Sequence, residues 1–393
     1  MYRREEVAEM ERYDLVIIGG GMVGAAVALG AVKQGKKIAL VEGVEPQPFE
    51  TSQAMDIRVS AISKASVALL ESLDTWDQVT AMRVCPYRRL ETWEHPECRT
   101  KFNADSLGLD VLGYIVENRL VQLALWTQAK QYSNLESFCP DSLHSIEFGE
   151  DSNVVTLSSG KQLKASLVIG ADGANSKVRS LAGIGITAWD YRQDCMLVNV
   201  ETEKHQQDIT WQWFTPSGPR SFLPLKGNQA SLVWYDSPKK IKQLISMKHD
   251  ALRKEIETHF PTELGNIKVL QAGAFPLVRR HAQSYFKNRC VLVGDSAHTI
   301  NPLAGQGVNL GFKDVSVLLD ILNKQDWYSK DTLKQYELRR RPDNLLMQSG
   351  MDFFYKVFSN DAVPLKFARN TVLKVANNLG PIKERVLKYA LGL

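Results

Sequence analysis

The sequence has little of what would make it a stapled or metal-clipped protein. Its 393 residues include only five cysteines: Cys85, Cys98, Cys139, Cys195 and Cys290. The number is odd, they are scattered, and none stands in C-x-x-C spacing, which argues against a disulfide framework or a structural zinc site. They read as small buried hydrophobes in a reducing cytosol. An excess of one charge is also missing. The 48 Lys+Arg face 44 Asp+Glu, and the net +4 is too small to make nucleic acid a general partner. The 44% hydrophobic and 23% charged residues exclude a disordered chain, and 15 Pro with 26 Gly exclude a collagen-like one. No secretory signal is visible in the polar residues 1–11. Long apolar runs are scarce. The one membrane-span suspect is 15–32, eighteen residues without a charge. Five of those are glycines, which suit a buried strand, turn and helix better than a lipid span.

That stretch is the first motif. The apolar, β-branched run 13–18 predicts a buried parallel strand. Gly19, Gly21 and Gly24 follow in G-x-G-x-x-G spacing, then a small-residue helix over 25–32, then a second strand over 37–41 ending in Glu42. Gly19 permits a tight turn, Gly21 lets backbone approach a pyrophosphate, and Gly24 lets the helix pack close to the strand. The helix start supplies N–H groups and a favourable dipole for phosphate. Glu42 is placed to accept hydrogen bonds from ribose hydroxyls, and an acid there disfavours a 2′-phosphate. This pattern predicts dinucleotide binding without choosing between FAD and NAD.

Two further motifs choose. Leu167-Val168-Ile169-Gly170-Ala171-Asp172-Gly173 reads as a strand ending in Asp-Gly, with a helix beginning near Ser176. Val291-Leu292-Val293-Gly294-Asp295 delivers a second acid at a strand end. A loop with Pro302, Gly305 and Gly307 then leads into a helix carrying Asn309. The three motifs together resemble those of the flavin-dependent aromatic hydroxylases, the class-A flavoprotein monooxygenases. The resemblance implies FAD contacts at Gly19, Gly21, Gly24, Glu42, Asp172, Gly173, Gly294, Asp295, Pro302, Gly305, Gly307 and Asn309. It adds Arg58, which matches the family's cofactor-facing arginine, and Asn118, where the family carries a polar residue near the ribityl chain.

Outside those motifs, Pro86-Tyr87-Arg88-Arg89-Leu90-Glu91-Thr92-Trp93, Leu232-Val233-Trp234-Tyr235-Asp236 and Gln348-Ser349-Gly350-Met351-Asp352 are similar to the ubiquinone-biosynthesis branch of that family. The fold expected is α/β: a discontinuous Rossmann-like FAD domain, a mixed antiparallel substrate sheet and C-terminal helices. The boundaries read as FAD domain over 1–76, 104–182 and 283–330, substrate domain over 77–103 and 183–282, and a helical region over 331–393. Strands are predicted over 196–202, 209–214, 220–225 and 230–235, with a charged helical insertion over 239–259. Phe222, Leu225 and Trp234 are read as substrate-pocket liners together with Pro302.

The resemblance implies ring hydroxylation of a polyprenylated benzoquinol with O₂, through a flavin C4a-hydroperoxide. FAD would be the resident cofactor, and NADH or NADPH a transient electron donor. A separate reductase, hydroxylation of another soluble phenol, or a flavin-bearing scaffold role in a quinone-synthesis complex stay open. No metal site and no Ser-His-Asp set is found, and no catalytic side chain is assigned, because the cofactor carries the chemistry. His281 and His298 read as structural. The small net charge is unevenly placed: 363–393 alone carries +5, leaving −1 for the rest. Its apolar residues recur at helical spacing. That segment reads as a basic amphipathic surface for the inner face of the cytoplasmic membrane, with the protein otherwise cytoplasmic.

Overall fold

The run 13–18 folds as part of the strand Arg12–Ile18, which lies between Ile38–Val41 and Gln162–Gly170, all parallel. Burial on both faces explains why its apolar residues run on without alternating. The helix Met22–Lys33 covers it and buries every residue from Gly24 to Val32. Small residues allow that depth: a Cβ on Gly30 would come 2.3 Å from Leu319 of a neighbouring helix. The membrane-span suspect is thus a strand, a turn and a helix, and no helix among the described residues is long and apolar enough to cross a membrane. The computed structural model describes residues 10–300 and 307–358, with side chains to 352.

The parallel strands belong to an eight-stranded sheet. A second eight-stranded sheet runs in the order His298–Thr299, Ile267–Ala282, Ile186–Thr202, Gln229–Asp236, Arg220–Leu225, Ile209–Trp213, Arg89–Trp93, Thr100–Asn103. All its pairings are antiparallel except that of Ile209–Trp213 with Arg89–Trp93. A third, three-stranded sheet is formed by Val59–Ser63, Gly113–Glu117 and Cys85–Tyr87.

The second sheet has two buried faces. On one, Trp93, Trp211, Phe222 and Trp234 pack against Phe260 and the helices Pro238–Ile245 and His249–His259. Those helices are the charged insertion. Ser237 caps the first, with its hydroxyl accepting from Lys240 N, and Ile241, Leu244, Leu252 and Ile256 point into the aromatic cluster. On the other face lie Tyr87, Cys195, Leu223, Leu225, Val233, Tyr235 and Leu277. This second face looks towards the glycine turns of the parallel sheet, and the functional cavity lies there.

The sequence reading missed the strand Ile267–Ala282. It pairs with Ile186–Thr202 along nearly its whole length, through two register shifts. Its buried and exposed residues are interrupted by half-buried ones and do not alternate regularly, so a period-2 search passes over it.

Candidate functional site

A cavity of about 420 Å³ opens where the three sheets meet. Backbone of the motif turns forms one side: Gly21, Met22, Ala171, Gly173, Gly294 and Gly307. Apolar side chains of the large sheet form the other: Cys195, Leu197, Leu223, Val233, Phe275 and Leu277. Arg58, Ser60, Asn118, Asp295 and Thr299 bring polar groups to its edge.

The three glycines of the first motif sit differently. Gly19 has φ +100°, and its Cβ would strike Ala171 O at 2.4 Å. The Cβ of Gly24 would fall 1.9 Å from Gly19 O. Gly21 borders the cavity, and a Cβ there would meet nothing within 4 Å. Gly173, at φ +76°, is equally open. Bare backbone at these two positions, beside the first residues of the helix Gly307–Leu322, is what a pyrophosphate needs. The residues present therefore fit a dinucleotide.

Arg58 and Asn118 are linked, with Asn118 N donating to Arg58 O at 3.1 Å. Ser60 Oγ donates to Asn118 Oδ1 at 2.7 Å. The Arg58 guanidinium lies 5.3 Å from the Phe275 ring centroid. Asp295 opens onto the cavity, and confinement by protein raises its carboxyl pKa; His298 and Arg58 act to lower it and Asp314 to raise it. The Cys195 thiol is pushed well above its ordinary pKa by burial, so it stays protonated.

The other expected residues have partners within the protein, and the expected pocket liners lie off this wall. Glu42 is off the cavity wall. One carboxylate oxygen accepts from Gly20 N at 2.6 Å and the other from Gly43 N at 2.7 Å. Asp172 caps the short helix Lys177–Leu181, accepting from Ser176 Oγ, from Lys177 N at 2.7 Å and from Val178 N at 3.0 Å. Asn309 accepts from Ser63 N at 3.0 Å and Ser66 Oγ at 2.7 Å, and donates to Ala61 O at 2.8 Å. It ties its helix to the strand Val59–Ser63. In each case protein groups hold the polar side chain in place, and lone pairs or N–H groups are left over for a ligand. Phe222 and Trp234 lie on the far face of the large sheet, in the aromatic cluster. Leu225 is on the near face but packs with Tyr87 and Leu223, away from the cavity wall. Pro302 and Gly305 lie outside the described residues, as does 363–393.

The residues that take their place follow from register. Cys195 pairs with Phe275 and Tyr235, and Leu197 with Val233, across three neighbouring strands. Alternation along Arg220–Leu225 and Gln229–Asp236 sends Leu223 and Val233 to that face and Phe222 and Trp234 to the other. His298 is buried, with Nε2 on Asp314 Oδ2, and His281 Nδ1 lies 2.9 Å from Gln348 Oε1. Both histidines act within the protein. Among the described residues no group of three or more His, Cys, Asp or Glu is arranged to hold a metal.

The family described as FAD binding domain matches residues 12–346. The chain is 51% identical to 3-demethoxyubiquinol 3-hydroxylase of Escherichia coli, covering 97% of this chain and 98% of that one. It is 32% identical to ubiquinone hydroxylase UbiL of Rhodospirillum rubrum, covering 96% and 89%. In fold it is similar to p-nitrophenol 4-monooxygenase PnpA of Pseudomonas putida, with a TM-score of 0.82 over 97% of this chain and 99% of that one, at 19% identity. By these matches, which run almost from end to end, the chain belongs to the FAD binding domain family, on its branch of ubiquinone-biosynthesis hydroxylases.

Proposed function

We propose that this enzyme hydroxylates the ring of a polyprenylated demethoxyubiquinol in ubiquinone synthesis. The observation that carries this reading is one cavity with two unlike walls, glycine-turn backbone suited to FAD and an apolar sheet suited to a prenylated ring. Bound FAD, once reduced, supplies an activated oxygen atom from O₂. One oxygen atom enters the ring as hydroxyl and the other leaves as water, with two electrons drawn from a donor. NADH or NADPH is the donor we infer, used transiently rather than held.

The chain itself binds, orients and excludes water. Leu197, Leu223, Val233 and Phe275 form a wall that favours an apolar ring and keeps bulk water from the reacting centre. Arg58 and Asn118 place charge and hydrogen-bonding groups at the cavity's polar edge. The neutral Cys195 thiol adds small apolar bulk without offering a nucleophile. None of these groups needs to act as acid or base, because the flavin carries the chemistry.

The substrate's prenyl chain resides in membrane, and the +5 of 363–393 suits an anionic surface. We place the enzyme in the cytoplasm, peripheral on the inner face of the membrane, where it can meet partners of a quinone-synthesis complex. Deletion of the gene tests the function: the deletion strain is expected to accumulate demethoxyubiquinol. Normal ubiquinone with no accumulated precursor would overturn the reading.

A further inference from the structure

The helix Lys330–Phe358 has an unusual buried face. A surface helix normally buries an apolar stripe. Here Tyr336, Arg340, Asn344 and Gln348, each four residues after the last, are exposed by 0%, 4%, 0% and 1%. Asp352, four further on, pairs with Arg279 and Tyr191. Residues at this spacing share a helix face. A polar ladder so fully buried must be hydrogen-bonded, and it is.

What the rungs grip is consistent. Tyr336 donates its hydroxyl to Leu292 O at 2.9 Å, just before the Gly294–Asp295 turn. Gln348 Nε2 donates to Thr299 O at 3.1 Å, just after it, and to Arg280 O at 3.0 Å. Between them, Arg340 Nε donates to Asp314 Oδ1 at 2.8 Å, and Asn344 Nδ2 to the same oxygen at 3.1 Å. The other oxygen of Asp314 accepts from Gly294 N at 3.0 Å and meets His298 Nε2. Asp314 is itself fully buried, so its charge needs a paired cation, and Arg340 supplies it. The helix thus holds the stretch carrying Asp295 before, behind and after the turn, and none of these rungs lines the cavity.

We propose that this ladder is a positioning device for the flavin site, and that Arg340 is its principal positioning residue, acting through Asp314 on the Gly294–Asp295 turn. A flavin bound beside Asp295 then feels the placement of that turn, although none of the helix's described side chains lines the cavity wall. The inference rests on the assignment of this cavity to FAD.

The test uses purified full-length protein, stripped of flavin and titrated with FAD. Arg340→Met is expected to weaken FAD binding by at least about tenfold, the size of losing a charged buried hydrogen bond. It should also shift the reduction potential of the flavin that does bind. Arg340→Lys, which keeps the charge but loses the fork, should recover part of both. Gln348→Leu, which leaves the ion pair whole, should weaken binding in the same direction and covers the case in which Arg340→Met does not fold. Arg339→Ala, at an exposed neighbour, is the control and should match wild type. Arg340→Met or Gln348→Leu that melts lower but binds FAD with wild-type affinity and potential would overturn the device. Wild-type protein without affinity for FAD would instead overturn the assignment of the cavity.

Discussion

Gly21 and Gly24 respond to a methyl group in opposite ways, and the difference separates fold from ligand. At Gly24 the added carbon meets backbone at 1.9 Å, so Gly24→Ala should lower the stability of the flavin-free protein by about 1–3 kcal/mol, measured by urea unfolding. At Gly21 it meets only the cavity, so Gly21→Ala should leave that stability unchanged and weaken FAD binding. A Gly21→Ala protein that binds FAD like wild type would remove Gly21 from the site. Arg58→Ala should slow flavin reduction or weaken FAD binding with the fold retained, since the side chain is exposed at the cavity edge and carries no core packing. The glycine roles were legible in the spacing because steric room is a local property of strand, turn and helix. The protein partners of Glu42, Asp172 and Asn309 were not. Each has chemistry fit for a ribose or phosphate neighbour, and in the fold it also accepts from Gly20 N, from N–H groups of a short helix or from Ser63 N. Which partner captures a carboxylate is settled by three-dimensional proximity, and sequence does not carry that.

Among the elements, the large sheet shows how a shift of one residue reverses a role. The strands carrying Phe222 and Trp234 are legible from their pattern, and a mixed antiparallel sheet beside the FAD motifs was expected. The facing was not, because both faces are buried and apolar on either side gives no contrast to read. Phe222→Ala should therefore cost about 3–5 kcal/mol in stability, as a large cavity in an aromatic core does, and leave the substrate KM of the surviving protein near wild type. Leu223→Ala should do the reverse, raising KM at a smaller cost in stability. Equal effects of the two on KM would contradict the facing. The helix Lys330–Phe358 was legible as a helix, while its buried polar ladder reads as an ordinary solvated face until its partners are known. Two groups that the ladder grips also set an acid response. Burial lowers the His281 pKa to about 4, so its neutral form is stabilised in the fold. Stability is full above the unfolded value near 6.5 and falls as pH drops from there towards about 4. Asp314, held at about 2 by His298 and Arg340 against the cost of its burial, adds a second loss as pH falls below about 4. Unfolding by urea across this range should show declining stability throughout, and His281→Gln should flatten the upper part.

At the scale of the whole molecule, the architecture sets a dinucleotide-type sheet and an antiparallel sheet against one cavity, and the proposed function gives cofactor and ring to different layers. The FAD motifs, distributed over the chain, made the first layer legible, and their order made the family so. The substrate layer was legible only as strands, since its cavity wall is assembled by cross-strand register rather than by any motif. The net charge of +4 is the balance of a basic C-terminal stretch and a nearly neutral remainder. At roughly 1 kcal/mol per cation near an anionic surface, that stretch supplies at most about 5 kcal/mol of attraction, so binding to anionic liposomes should be reversed by salt. Truncation after Asp361 should abolish it, and unchanged liposome binding would contradict a membrane role for that segment. The central claim is that the cavity transfers one oxygen atom from O₂ to a quinol ring. A single turnover tests it most directly: the FAD-loaded protein is reduced chemically in the absence of air, then mixed with isotopically labelled O₂ and a short-chain demethoxyubiquinol. The account predicts product carrying one labelled oxygen as a new ring hydroxyl, and reoxidised flavin with hydrogen peroxide but no labelled quinol would contradict it.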